Sequence, residues 1–261
     1  MGLFNFLKKK PKTSSTESNF LLSMPIFNNN DSYQVDKIIE NLKSHWGLEV
    51  TEVAGDNTTT SFMIDGETVA IAYMPVPIPW DDIEGTAKYA YNWSNALTDL
   101  REHTGHAFVT IMAGKKSPLE RYKILSKLLY STLITSGSIG VYQGSQSLLI
   151  PRSQYLATIE EAGGSIPVAL WIYIGLRKPT SGNNAYTYGL KDFEKNEIEI
   201  IDSELSLEEL YDFLLNITSY IISNDITLKS GETIGFTAEQ KIPITLSKGE
   251  QVTGESFKLK M

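Results

Sequence analysis

The stretch from Ile166 to Ile222 constrains the fold most, because every local signal within it agrees. Val168–Ile174 is almost continuously apolar, which predicts a central strand of a sheet. Two further strands are predicted between residues 185 and 201. Ser206 and Glu209 then form a capping box in front of apolar residues at helical spacing. The stretch therefore predicts strands packed against an amphipathic helix, and it contains no catalytic motif.

The first part of the chain predicts alternating strands and helices in the order βαββαβ. A strand is predicted over residues 20–27, and Asp65-Gly66 is the two-residue turn of a hairpin. One helix is predicted over residues 81–101, and Ala107–Met112 is a buried strand. This order predicts a ferredoxin-like first half. Further α/β elements continue it into one mixed sheet packed with helices, so the predicted fold class is α+β.

Residues 1–19 are predicted to be a disordered basic leader and linker, because they are polar and carry four lysines in the first twelve positions. Apolar residues beside those lysines are compatible with a weak membrane-surface contact through residues 1–12, but the segment is very short for that, and a mobile tail is the favoured interpretation. Residues 20–261 are predicted to form a single α+β domain, with a candidate subdivision near residue 115. No apolar run is long enough to predict a transmembrane segment.

The charge and cysteine content exclude several classes of function. The chain has 23 basic and 31 acidic residues, a formal net charge of −8. This balance argues against nucleic acid as a ligand, because phosphate binding needs concentrated Lys and Arg. It suits a soluble protein or one that binds a basic protein partner. The absence of cysteine excludes disulfides and thiol catalysis, and it fits a cytoplasmic location.

Two local patterns resemble functional motifs but lack essential parts. The segment Ala113–Ser117 lies between a predicted strand and a helix that Ser117 is predicted to cap, with Glu120 three residues later. It resembles a phosphate-binding loop, but it lacks the required first glycine. His103 and His106, with nearby Glu102, are candidate metal ligands. A structural role for both histidines is the simpler interpretation, because the sequence nominates no complete ligand set. No cofactor is therefore predicted.

Acidic and aromatic side chains provide the candidate partner-binding residues. Charged and aromatic side chains of this kind can form a partner surface, although core packing is the alternative for aromatic residues. The candidates are Glu197, Glu199, Asp202, Glu204, Glu208, Glu209, Tyr186, Tyr188 and Trp80.

Several sequence blocks also carry a family resemblance. They are HAFVTIMAG with LERYKILSKLLYSTL, GVYQGSQSLLIP, ALWIYIGLRK, AYTYGLKDFEKNEIEIIDSELSLEELYDFLLNI and GETIGFTAEQKIPIT. These blocks resemble a bacterial family, the domain of unknown function DUF4261, from Met24 onward and most densely from Val168. The family supplies no established catalytic residues. The resemblance implies an accessory role near toxin or secretion systems, such as that of an immunity or adaptor protein.

Two functions are compatible with these features. The first is a non-enzymatic protein-binding module, such as an immunity or adaptor protein associated with a toxin or secretion system. The alternative is a hydrolase or metal-dependent enzyme that uses His103, His106 and nearby carboxylates.

Overall fold

The computed structural model of the protein describes residues 20–235 and 240–261. Within those residues the strands form two sheets, of seven and six strands. The first sheet consists of β1 (Leu21–Phe27), β2 (Val50–Gly55), β3 (Thr59–Ile64), β4 (Glu67–Met74), β5 (Gly105–Ala113), β6 (Ser138–Gln143) and β7 (Leu148–Pro151). Their order across the sheet is β2-β3-β4-β5-β1-β6-β7. The leader predicted over residues 1–19 and the candidate membrane contact through residues 1–12 lie outside the described residues.

The second sheet follows in the chain. It consists of β8 (Tyr173–Arg177), β9 (Asn183–Tyr188), β10 (Glu197–Ser203), β11 (Thr233–Ile234), β12 (Ile242–Lys248) and β13 (Glu255–Leu259). Their order is β11-β12-β13-β10-β9-β8. Neighbouring strands are antiparallel except β10 and β13, which are parallel.

The helices cover the faces of both sheets. They are α1 (Val35–Ser44), α2 (Trp80–Ala87), α3 (Ala96–Asp99), α4 (Pro118–Ile134), α5 (Arg152–Ala162) and α6 (Leu207–Ser223). The main hydrophobic core contains residues of α1, α4 and α6 and of both sheets, so it is continuous between the sheets. A smaller core lies under α2 and α3 on the opposite face of the first sheet. No helix in the described ranges is long and apolar enough to cross a membrane.

Three local signals that start elements or turn the chain are where the sequence predicts them. The hydroxyl of Ser117 accepts the amide hydrogen of Glu120 at 3.3 Å and caps α4. Ser206 and Glu209 form the reciprocal capping box of α6. Asp65-Gly66 has positive φ at both positions, as the turn of a two-residue hairpin requires. These predictions are correct because each depends on contacts within a few residues.

The α+β class is confirmed, but the strands form two sheets rather than one mixed sheet, and the ferredoxin-like start is not confirmed. In that arrangement the first strand lies between the two strands that flank the second helix. Here β4 pairs directly with β5, and β1 lies between β5 and β6. The reason lies in residues 81–101, where two short helices, α2 and α3, replace the single helix that the spacing predicts. After α3 the chain therefore forms β5 directly beside β4 and antiparallel to it.

The apolar run Val168–Ile174 is not a central strand. Residues Val168–Leu170 form a 3₁₀ turn, and β8 begins at Tyr173 on the edge of the second sheet. Trp171 is 1% exposed because it packs against Tyr122 of α4, with ring centroids 5.5 Å apart. A continuous apolar run indicates burial, and a turn packed between other elements is buried as completely as a central strand.

Candidate functional site

A pocket of about 190 Å³ opens on one face of the second sheet. Tyr173 on β8 lies opposite Tyr188 on β9, and Gly175 lies opposite Tyr186. Alternate residues of a strand share a face. This register therefore places the three tyrosines and Arg177 on the same face. We call this site, with Tyr89 at its rim, the tyrosine pocket; its defining residues are Tyr89, Tyr173, Arg177, Tyr186 and Tyr188.

The floor of the tyrosine pocket depends on a glycine. The ring of Tyr186 lies against the backbone of Gly175, where a Cβ would be 2.1 Å from the Tyr186 Cζ. The rings of Tyr186 and Tyr173 meet edge to face, with centroids 6.3 Å apart. Burial, together with the neighbouring Tyr186, raises the pKa of Tyr173 to about 12. The Tyr173 hydroxyl therefore keeps its proton near neutral pH and can donate a hydrogen bond.

Among the described residues that line the tyrosine pocket, Arg177 is the only charged one. Its guanidinium carbon lies 5.0 Å from the centroid of the Tyr89 ring, in cation–π geometry. A hydrogen bond to the Tyr89 side chain raises the pKa of Arg177. No ion pair within 4.0 Å involves Arg177 in the described part of the chain. The guanidinium is thus held by aromatic contacts, and its charge is not paired with a carboxylate there.

The remaining walls come from three separate segments. The last turns of α2 contribute Gly85 and Thr86, and the turn before β7 contributes Ser147. The loop between β12 and β13 contributes Gln251. Hydroxyl and amide groups therefore surround an aromatic floor.

Glu199 holds the loop that carries Gln251. Its side chain is fully buried and accepts hydrogen bonds from the amide of Val252 at 3.1 Å and the hydroxyl of Ser256 at 2.6 Å, and it pairs with Lys258. Burial by itself raises the pKa of Glu199, but the hydrogen bonds from Lys258, Ser256 and the loop amides outweigh it, so the pKa lies below its usual value. Glu199 therefore stabilises one wall of the pocket.

Glu197 holds a second wall and is also buried, with 2% exposure. It accepts hydrogen bonds from the hydroxyl of Thr187 at 2.7 Å and the amide of Gly189 at 2.9 Å, which fixes the chain on both sides of Tyr188. Here burial outweighs the hydrogen bonds and raises the pKa of Glu197. The prediction that Glu197 and Glu199 contact a partner at the surface is thus wrong for both residues, since neither is accessible.

The other acidic candidates lie on the surface. Asp202, Glu204, Glu208 and Glu209 are exposed, and Glu209 also takes part in the capping box of α6. This acidic segment adjoins the tyrosine pocket through Asn184. That residue lies opposite Arg177 in the sheet, and its side chain accepts the amide hydrogen of Asp202 at 2.8 Å. Their role in partner binding stays a prediction.

The aromatic candidates separate into two places. Tyr186 and Tyr188 both line the tyrosine pocket, whereas Trp80 does not. Trp80 is partly buried at the start of α2, against the smaller core, with the Arg101 guanidinium carbon 4.6 Å from its ring centroid. The structure therefore brings two of the three aromatic candidates together.

Sequence reasoning overlooked Arg177, Tyr173 and Gln251. The first two were detectable, because Tyr173, Gly175 and Arg177 alternate with apolar residues in a period-two pattern that marks one face of a strand. Gln251 was not detectable, since it reaches the pocket through the tertiary contacts of Glu199.

The histidine pair holds a loop. The Nε2 atom of His103 accepts the amide hydrogen of Ile78 at 2.7 Å, and its Nδ1 atom donates to the carbonyl of Leu100. The Nδ1 atom of His106 donates to the carbonyl of Val76 at 2.9 Å. Burial, opposed by that hydrogen bond, lowers the pKa of His106. In residues 20–235 and 240–261, no group of three or more His, Cys, Asp or Glu side chains is placed to hold a metal ion.

The loop that resembles a phosphate-binding motif binds a carboxylate of the protein itself. The amides of Lys115 and Lys116 donate to Oε1 of Glu67 at 2.8 and 2.9 Å. Glu67 is 1% exposed and pairs with Arg121 at 3.0 Å. A Cβ at Gly114 would lie 2.0 Å from the Glu67 carboxylate. The loop amides are therefore engaged with an internal anion.

Part of the chain matches a known family. Residues 186–260 match the model of the family described as Domain of unknown function (DUF4261). The resemblance inferred from the sequence blocks is confirmed over that range, which contains Tyr186, Tyr188, Gln251 and both buried glutamates. Comparisons with curated proteins and with solved structures give no match.

Proposed function

We propose that this protein, whose residues 186–260 match the DUF4261 family, is a protein-binding module with the tyrosine pocket at the centre of its binding surface. The observation that carries the proposal is the concentration of tyrosines and one arginine on a single sheet face. Tyrosine and arginine are the residues, with tryptophan, that most often dominate the binding energy of protein interfaces.

Exposure and rigidity both support this function. Tyr89 is 55% exposed and Tyr188 is 37% exposed, so their rings are accessible to a partner. The chain around Tyr188 is held by Glu197, and the Gln251 loop is held by Glu199. A surface held in place before binding loses little conformational entropy on association.

The acidic segment next to the tyrosine pocket indicates the character of the partner. Asp202, Glu204 and Glu208 are exposed. Asp202 donates its amide hydrogen to Asn184, which lies opposite Arg177 in the sheet. We propose that the three acidic residues form an acidic rim on one side of this surface. Acidic rims accelerate and orient association with basic proteins. A basic partner is consistent with the immunity or adaptor role that the family resemblance implies.

The enzyme alternative has less support from the geometry. It depends on His103 and His106, and hydrogen bonds to the Val76–Ile78 loop and to Leu100 engage both rings. The tyrosine pocket lacks both histidines among its lining residues. The binding function is therefore the better-supported proposal.

Affinity capture from a lysate of the source organism tests this function. The wild-type chain should retain a specific protein that a Tyr89→Ser, Tyr188→Ser double variant loses. Removing a dominant interface tyrosine costs about 2 kcal/mol, or about 30-fold in affinity. Tyr220→Ser is the matched control, because Tyr220 is 51% exposed on α6 and does not line the pocket.

The captured protein should remain bound to the Tyr220→Ser variant. Equal retention by the double variant would contradict the proposed surface. Failure of the wild type to retain any specific protein would contradict the function itself.

A further inference from the structure

We propose that the tyrosine pocket binds a carboxylate group, supplied by an acidic side chain of the protein partner. This inference rests on the proposed function and specifies what the centre of that surface recognises. The first supporting observation is the charge of the residues around the pocket. The chain has eight more acidic than basic residues, yet no acidic residue is among the described residues that line the pocket.

The orientation of Arg177 favours a carboxylate. Its side chain is exposed and stacked on Tyr89, with the guanidinium carbon 5.0 Å from the ring centroid. Its guanidinium carries five N–H donors, more than its hydrogen bonds with Tyr89 and Tyr186 use, and the remaining N–H groups match the two oxygens of a carboxylate. No carboxylate of the described residues lies within ion-pair distance of it. The charge is therefore available to a partner.

The polar groups of the walls complete the match. A carboxylate accepts several hydrogen bonds, through two oxygens with about four lone-pair sites. The hydroxyl of Tyr173 is protonated near neutral pH, and Thr86, Ser147 and Gln251 add hydroxyl and amide donors. The aromatic floor packs against the aliphatic part of an acidic side chain.

The size of the pocket limits the ligand. Its 190 Å³ corresponds to about six water molecules at about 30 Å³ each. Sites for drug-sized ligands occupy about 300–1,000 Å³. A glutamate or aspartate side chain fits this space. A partner must then present basic residues to the acidic rim and one acidic side chain to Arg177. This charge pattern fixes the orientation in which the partner binds.

The test is a titration of the full chain with N-acetyl-glutamate N-methylamide, followed by NMR signals of the Arg177 Nε–H group and the Gln251 amide. N-acetyl-glutamine N-methylamide is the neutral control ligand. The acid should produce a saturable shift that the amide does not. Arg177→Gln should weaken binding by about tenfold or more, the effect of losing a charged hydrogen bond of about 1.4 kcal/mol.

Matched variants separate the pocket from general charge effects. Arg101→Gln removes another exposed arginine, one that is stacked on Trp80 outside the pocket, and it should bind the acid like the wild type. Arg177→Lys keeps the charge but loses the planar edge, so it should bind with intermediate affinity. For variants whose circular dichroism matches the wild type, unchanged binding by Arg177→Gln, or equal weakening by Arg101→Gln, would overturn the inference.

The outcome separates the two proposals. Absence of a saturable shift in the wild type, or equal binding of the neutral amide, overturns carboxylate recognition. If partner capture still depends on Tyr89 and Tyr188, the protein-binding function stands without carboxylate recognition. Saturable acid binding without any captured protein supports the carboxylate site and contradicts the protein-binding function.

Discussion

The buried aromatic cluster of Tyr122, Trp171 and Phe193 and the tyrosine pocket differ in where their polar atoms find partners. In the buried cluster, the Tyr122 hydroxyl donates to Asp192 at 2.5 Å, and the Trp171 Nε1 atom donates to the hydroxyl of Ser126 at 2.7 Å. Burial, with the adjacent Asp192, raises the pKa of Tyr122 well above its usual value. These polar groups are satisfied inside the protein.

In the tyrosine pocket the aromatic residues instead keep an open face. Arg177 is exposed, and the described residues offer it no carboxylate. The two clusters meet at neighbouring residues, because Gln146 donates to the Tyr122 hydroxyl while Ser147 lines the pocket. The same residue types therefore serve the core on one side and a candidate binding surface on the other. The location of the hydrogen-bond partners distinguishes the two uses.

The largest expected effect is on the buried cluster. Trp171→Ala should lower the free energy of unfolding by about 3–5 kcal/mol, because it removes a large side chain that is 1% exposed and leaves a cavity. Tyr188→Ala should cost much less, since Tyr188 is 37% exposed. Urea unfolding of both variants measures the difference. Similar losses for the two would contradict the distinction between a closed and an open cluster.

The next effect concerns the two glutamates that hold the pocket walls. Glu199→Gln should cost about 2–3 kcal/mol at neutral pH, because it removes the charged acceptor of several hydrogen bonds and leaves Lys258 unpaired. The folded-state pKa of Glu199 is lowered from 4.5, so its stabilisation is complete above that value. The stabilisation is lost as the pH falls through the folded-state pKa. The stability difference between wild type and Glu199→Gln should therefore shrink in acid.

Glu197→Gln should show the opposite trend. Because the folded-state pKa of Glu197 is raised from 4.5, the folded protein holds this proton more tightly than the unfolded chain. The wild type should then lose stability relative to Glu197→Gln as the pH rises from 4.5 through the folded-state pKa. Urea unfolding across a pH series measures both variants. Parallel pH profiles for the two variants would show that their environments do not differ as described.

A smaller effect should follow from Gly175→Ala. The new Cβ forces the Tyr186 ring away, which costs about 1 kcal/mol of stability through the lost contact with Tyr173. It should also abolish binding of the acidic probe, since the floor of the pocket is displaced. Gly85→Ala is the control for the stability change alone, because residue 85 lines the pocket, whereas a Cβ there meets nothing within 4 Å. Because residue 85 lies within α2, replacing this glycine with alanine should raise the free energy of unfolding by about 0.5–1 kcal/mol.

The smallest stability effect is expected for Arg177→Gln. The side chain is exposed, so the free energy of unfolding should change by no more than about 0.5 kcal/mol. Its loss of probe binding would then be separate from stability. A destabilisation comparable to that of Trp171→Ala would place Arg177 with the structural residues instead.

Prediction from the sequence worked where the determining contacts are local. The cap of α4 at Ser117, the capping box of α6 and the Asp65-Gly66 turn were all predictable from residues within four positions of each other. Tyr186 and Tyr188 both line the candidate site, and their role in partner binding stays a prediction. The division into two sheets was not predictable, because it depends on which distant strand β4 and β10 pair with.

Glu197 and Glu199 show most clearly that contacts between distant parts of the chain were not predictable from the sequence. Their alternation with Ile198 and Ile200 indicates a strand with one apolar face, and an acidic second face is ordinarily solvated. Here the second face is covered by chain segments that donate hydrogen bonds, including Val252 and Lys258, more than fifty residues away.

The sequence by itself determined the α+β class, the starts of α4 and α6, the hairpin turn and the acidic, cysteine-free composition, because short-range chemistry specifies each of them. Only the tertiary structure decided that Arg177 and the tyrosines share a pocket and that Glu67, Glu197 and Glu199 are internal anchors. The physical reason is that a buried charge is stable only with partners, and here most of those partners come from distant parts of the chain.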